Sequence, residues 1–219
     1  MFVYNYIDYP CVGAAVSEFD PANLGVITGR ANKEYWVLFG ICVANKSAEQ
    51  TSKKMKQFFS FAHARDETPF ETVSSIIAFG TLGIVLRRFK FGQYTRIERA
   101  WSEVVKLDVD KDLSVAKLES IHGIGPKTAR MLMLYVEPDL EVAPLDTHVL
   151  KYLRLMGVPN VPKGTPPGGP AYKRLEDIFI AEAKAQGKTP RQLDSEVWNA
   201  YSSGDLTKLP QPTRLQENK

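Results

Sequence analysis

The chain has 219 residues, 44% hydrophobic and 24% charged, the proportions of an ordinary globular protein long enough for one large domain or two closely packed lobes. Its formal net charge is only +3, so the total does not announce a polyanionic partner and the placement of charge has to be read instead. Two cysteines, Cys11 and Cys42, exclude a disulfide framework or a four-thiolate cluster and point to a reducing compartment. With no basic-then-apolar leader and no apolar run near membrane-spanning length, the expectation is a cytoplasmic (nucleoid-associated) or nuclear protein with no membrane contact.

In chain order, "FVYNYIDYP" alternates enough to suggest one short strand, and everything after it reads as helix. Ser47-Ala48-Glu49-Gln50, Thr68-Pro69-Phe70-Glu71 and Thr189-Pro190-Arg191-Gln192 match the capping box, in which a hydroxyl and a Glu or Gln satisfy free backbone donors reciprocally. Two of these carry proline at the first helical position, where no amide hydrogen is missed. Met55, Phe58, Phe59 and Ala62 follow the helical spacing i, i+3, i+4, i+7, and Val149, Leu150, Leu153 and Met156 nearly so. The patterns predict an all-α protein of about eight to ten helices.

Residues 86–101, "LRRFKFGQYTRIERAW", set Arg87, Arg88, Lys90, Arg96 and Arg99 among four aromatic rings. That pattern suits phosphate contact with base stacking, and equally an amphipathic helix pair. Residues 157–170, "GVPNVPKGTPPGGP", break every regular structure and form a loop, a plain connection or a ligand contact. The polar tail from Asp205 is expected to be loosely held. Trp36, Trp101 and Trp198 read as core residues rather than pocket walls.

The most informative stretch is "IHGIGPKTARMLMLYV", residues 121–136. A short helix ends near Leu118 and Ile121, His122-Gly123-Ile124-Gly125 turns, and Pro126 starts a second helix. Glycines at alternate positions permit positive φ and leave amide hydrogens pointing outwards beside a helix N-terminus, which suits a phosphate. A tight corner without a ligand is the competing reading. Lys127 then stands at the mouth of an apolar helix, where a lysine is costly to bury.

"GIGPKTA" resembles the hairpin of the helix–hairpin–helix DNA glycosylases that carry a downstream Gly-Pro-Asp region. "VAPLDTHVLKYL" resembles the segment that delivers their catalytic aspartate, and the 19 residues from Lys127 to Asp146 are the spacing those proteins use. The resemblance is strong over residues 114–156. It implies a two-lobed helical fold with a DNA-binding cleft between the lobes: one lobe of residues 46–138 containing the hairpin, the other of residues 1–45 and 139–219. "LFGICVANKSAEQTSKK" resembles the family helix and loop bearing a DNA-wedging residue, which nominates Asn45. The C-terminal part, "PAYKRLEDIFIAEA" through "LDSEVWNAYSSGD", resembles archaeal-type 8-oxoguanine glycosylases. Family branches with an iron–sulfur cluster carry four cysteines after the aspartate; this chain has none beyond Cys42, so neither a cluster nor any other cofactor or metal is expected.

The resemblance implies a bifunctional DNA glycosylase and β-lyase with Lys127 and Asp146 as its catalytic pair. An amine attacks the anomeric carbon as the base leaves, then forms a Schiff base with the opened sugar. Such an amine must shed its proton, and a helix N-terminus and apolar walls both disfavour an ammonium. Asp146, just before "THVLKYL", is a natural N-cap, and a capping carboxylate can also stabilise positive charge developing on the sugar. His148 is either a ring beside the site or a packed core histidine. Gly123, Ile124, Gly125, Asn45, Arg88, Lys90 and His148 form the expected DNA-binding set. The partner is a duplex containing a damaged or modified base, bound by a monomer. Oxidised purine is the first choice of base, from the C-terminal resemblance and the missing cluster, and an oxidised or modified pyrimidine the second. Two other functions stay open: a non-catalytic hairpin module, and a base-modifying transferase on the same scaffold that acts on modified pyrimidines.

Overall fold

A computed structural model describes residues 26–44, 46–62 and 67–213. Ten α-helices and no strand occur among the described residues, so the protein is all-α. The expected N-terminal strand and Asn45 both lie outside them. No single helix among the described residues is long and apolar enough to cross a membrane.

The chain divides into two compact units. The first comprises the described residues up to Asp112 together with Ile121–Gly123; the second comprises Leu113–Ser120 and the chain from Ile124 onward.

In the first unit, α1 (Arg30–Val43) has an unbroken buried run from Glu34 to Cys42. A helix apolar on every side must be covered on every side. α2 (Ala48–Ala62), α3 (Pro69–Ala78) and α5 (Tyr94–Val104) pack on it, and α4 (Leu82–Arg88) packs on α3 and α5. Phe58 is the aromatic hub: the Phe59, Trp101, Phe89 and Phe91 rings sit at 5.0, 5.3, 6.0 and 6.0 Å. Trp36 and Trp101 are core residues, and the Trp101 Nε1–H donates to the Leu38 carbonyl at 3.3 Å. Thr68 and Glu71 form the expected capping box. A second acceptor is added there by Glu34, only 1% exposed, whose Oε2 accepts from the Phe70 amide at 3.0 Å. Its buried charge is thereby held by a helix N-terminus.

The second unit contains α6 (Val115–Glu119), α7 (Pro126–Val136), α8 (Thr147–Leu155), α9 (Pro170–Ala185), α10 (Pro190–Ser203) and a 3₁₀ turn, Leu206–Lys208. α6 packs on α7, and α8, α9 and α10 close around Leu150, Tyr152, Leu153, Phe179, Leu193 and Val197. Thr189 and Gln192 complete a second capping box. At the other end of α10, Gly204 takes the left-handed C-terminal position, φ +73°.

Two expectations are corrected here. The units do not follow the boundaries 46–138 against 1–45 with 139–219: α1 belongs with α2–α5, and α6–α7 belong with the C-terminal helices. Helical periodicity shows that a face is buried, but not against which helix. The chain from Asp205 to Thr213 is also not loosely held. The buried Glu182 carboxylate accepts from the Thr213 amide (2.8 Å), the Thr213 hydroxyl (2.6 Å) and Gln186 Nε2 (2.6 Å), which ties the segment onto α9. A buried carboxylate needs such donors, and the tail supplies them.

Candidate active site

The turn at residues 122–125 is where the chain passes from one unit to the other. Only one of its glycines needs a conformation denied to other residues. Gly123 has φ +82°, and a Cβ there would lie 2.6 Å from Arg96 Cγ. Gly125 is extended (φ −92°, ψ 174°), with nothing within 4 Å of where its Cβ would stand. The positive φ expected of both alternate glycines therefore holds for Gly123 alone, and Gly125 leaves the start of α7 open. Ile124 is 4% exposed, so its side chain anchors the turn and only its backbone is available to a ligand.

α7 starts at Pro126, and no side chain caps it. The Ala129 amide makes the first intrahelical bond, to Gly125. The amides of Lys127 and Thr128 precede it, at the positive end of the helix dipole. Lys127 is half-buried. Its Nζ lies 3.5 Å from Met131 Sδ and forms no ion pair among the described residues. Thioether sulfur is a weak acceptor, so this amine is held without a counter-charge bonded to it.

Asp146 caps α8 as expected, accepting from the His148 and Val149 amides, both at 2.8 Å. Both bonds fall on Oδ1, so the capping role occupies a single carboxylate oxygen. His148, two residues on, stacks on Tyr201 of α10 with centroids 5.4 Å apart and planes 12° apart. Burial lowers its pKa; Asp146 pulls it back up, while Lys151 and Lys127 push it further down. Its buried Nδ1 has no hydrogen-bond partner. The two readings of His148 thus coexist: a packed ring that lies in the field of both Lys127 and Asp146.

Asp194 is a residue that sequence reasoning missed. It lies on α10, which packs against both α7 and α8, and is 6% exposed. Burial raises its pKa well above the ordinary value, the Asp146 charge adds to this, and Lys127 opposes it. Asp194 and His148 therefore both sense Lys127 and Asp146. A sequence signal existed: Pro190, Leu193, Val197 and Ala200 mark a buried stripe, and Asp194 falls inside it.

A second missed group holds the aspartate segment in place. Arg130, one turn beyond Lys127, donates from Nε to Glu176 Oε1 at 2.6 Å, also bonds Glu119, and lies 4.4 Å over the Tyr172 ring. Glu176 Oε1 accepts from the Ala143 amide (3.0 Å) as well. The Tyr172 hydroxyl donates to the Ala143 carbonyl (3.0 Å) and accepts from the Leu145 amide (2.9 Å). Residues 143–145, which lead into Asp146, thus hang from α9 through bonds that also clamp α7. The loop of residues 157–170 adds to this: Thr165 Oγ1 donates to the Leu145 carbonyl at 2.9 Å, and Gly168 lies against Pro126. It is more than a plain connection, since it touches both flanks of the site.

Arg88 and Lys90 belong to the first unit. Both are exposed; Arg88 sits 4.3 Å over the Phe61 ring, and Lys90 is left-handed, φ +54°. Comparison with models of known protein families, with curated proteins and with solved structures finds no match.

Proposed function

We propose that this protein is a bifunctional DNA glycosylase with β-lyase activity. The carrying observation is the setting of Lys127 on α7 and of Asp146 on α8. Lys127 starts an uncapped helix with no carboxylate bonded to it, and Asp146 caps with one oxygen only; both act on the buried Asp194 and on His148.

Base excision requires the target nucleotide to leave the stack, at about a few kcal/mol. The Lys127 amine then forms a bond to C1′ as the glycosidic bond breaks, and the departing base takes up a proton. Asp146 stabilises the positive charge that develops on the sugar. Loss of the amine proton and opening of the sugar ring give the Schiff base. That imine acidifies C2′, and removal of its proton expels the 3′ phosphate. The amides of the Gly123-Ile124-Gly125 turn hold phosphates of the same duplex. An oxidised purine, 8-oxoguanine first, is the substrate class favoured by the resemblance of the C-terminal part.

Borohydride added during turnover tests this reading on a panel of duplexes, each with one damaged or modified base. Covalent trapping on at least one duplex is expected, and Lys127→Ala should abolish it. Trapping by the alanine variant at the wild-type level would remove Lys127 from the chemistry. Binding to every duplex with no excision and no trapping would leave a non-catalytic hairpin module.

A further inference from the structure

In the first unit, positive side chains converge where no carboxylate among the described residues bonds them. Lys46 Nζ donates to the Phe91 carbonyl at 2.6 Å, and Lys54 Nζ to the Lys90 carbonyl at 2.7 Å. Arg96 donates to the Ile41 carbonyl at 2.7 Å and the Gly123 carbonyl at 3.0 Å. Carbonyls accept these hydrogens but neutralise none of the charge. Among the described residues the three cations form no ion pair, and Lys46 feels Arg96 and Lys54 as like charges that, after burial, lower its pKa. The group able to become negative that acts on both Lys46 and Arg96 is the Cys42 thiol, and burial pushes that up to about 12, so it is neutral at physiological pH.

The backbone beside them is itself unusual. Lys90 follows the last residues of α4 in a Schellman arrangement, with the Phe91 amide bonded to the Leu86 carbonyl and the Lys90 amide to the Arg87 carbonyl. The left-handed residue of that motif is ordinarily glycine, yet here it is lysine at φ +54°. Three residues later Gln93 is left-handed too, φ +48°, and its Oε1 accepts from Arg96 Nε at 2.8 Å. Within four residues the chain accepts two non-glycine left-handed conformations, one carrying an extra cation and the other orienting Arg96. Strain of this kind persists where the surroundings impose it, and it clusters at ligand sites.

We infer that Lys46, Lys54, Lys90 and Arg96 form a binding site for the phosphodiester backbone of a nucleic-acid strand, around the Lys90–Gln93 turn. The identity of the strand as DNA rests on the function proposed above. Two or more phosphates a few ångströms apart supply the negative charge that the described residues omit. A backbone does so without reading sequence.

The test is the salt dependence of affinity for an undamaged duplex, with melting temperature measured alongside. Lys54→Gln keeps an amide donor for the Lys90 carbonyl while removing charge. Lys90→Gly removes charge and relieves the left-handed conformation. The double variant should melt no lower than wild type, and the slope of log affinity against log salt should fall by about 1.8, at ~0.9 per phosphate contact. Lys111→Gln, an exposed lysine elsewhere in the unit, serves as control and should leave the slope unchanged. An unchanged slope in the double variant overturns the site. Sodium phosphate should displace duplex no better than sodium chloride of equal ionic strength. Phosphate-specific displacement that vanishes in the variant would make this a free-phosphate site instead and overturn the backbone assignment. Borohydride trapping by wild type separates the two claims. A reduced slope without wild-type trapping keeps this site and removes the glycosylase, whereas trapping with an unchanged slope does the reverse.

Discussion

Two cation clusters, one in each unit, treat positive charge in opposite ways. In the second, Arg130 meets Glu176 and Glu119, and Glu176 also accepts from the Ala143 amide. In the first, Lys46 and Arg96 are comparably withdrawn from solvent but bond only backbone carbonyls and the Gln93 amide oxygen, with no carboxylate among the described residues. A compensated buried pair locks geometry, and removing one partner strands the other at about 3–5 kcal/mol. An uncompensated cluster gains nothing from its own charge and is satisfied only by an anion from outside. The difference teaches where to look for chemistry: Arg130 holds the site together, while charge left unanswered marks a surface for a ligand. Lys127 shares features of both, lying in the compensated unit without a bonded counter-charge.

The comparison is tested most severely at Asp146. Asp146→Asn keeps an oxygen for the His148 and Val149 amides but cannot supply negative charge. Single-turnover excision should fall about a thousandfold while the melting temperature moves little. Near-normal excision would leave Asp146 a cap and nothing more. Next comes Glu176→Leu, which leaves Arg130 with Glu119 alone and strands the Ala143 amide. At roughly 2–4 °C per kcal/mol for a chain of this size, melting should drop by about 10 °C. Lys46→Gln, which strands no buried charge, should change melting by no more than about a degree. Equal losses in both variants would erase the contrast.

The turn that joins the units sharpens it further. Gly123→Ala places a Cβ 2.6 Å from Arg96 Cγ at φ +82° and should destabilise by about 1–3 kcal/mol. Gly125→Val meets open space at an ordinary φ, so its fold should survive. Weaker binding to undamaged duplex by that variant would therefore report blocked access to the α7 N-terminus rather than a damaged fold. Unchanged affinity would remove the hairpin amides as a phosphate clamp.

Asp194 gives the smallest effect, one visible only against pH. Its folded pKa is raised by burial first and by Asp146 second, with Lys127 opposing. The stability tied to this carboxyl is therefore full below its unfolded value near ~3.9 and is lost as pH rises toward the folded value. Asp194→Asn cannot ionise. It should melt a few °C above wild type at pH 7, at roughly 2–4 °C per kcal/mol, and with wild type near pH 3. A difference independent of pH would mean that ionisation there carries no penalty.

Local chemistry was legible in the amino-acid order because it depends on neighbours a few residues apart. Thr68 and Thr189 bond amides three positions on, Asp146 caps α8, Pro126 starts α7, and the apolar spacing announces helices. Each of these is set by short-range sterics and hydrogen bonding that any surrounding fold would preserve. Tertiary structure decided what required distant residues to meet. Glu176 reaches Arg130 across 46 positions, Lys46 reaches the Phe91 carbonyl across 45, and Arg96 reaches Ile41 across 55. Whether a buried charge finds its opposite is a property of packing, since periodicity says only that a face is covered. For the same reason the sequence marked Lys127 and Asp146, while Asp194, the Arg130 clamp and the unanswered cations emerged only once the helices were assembled.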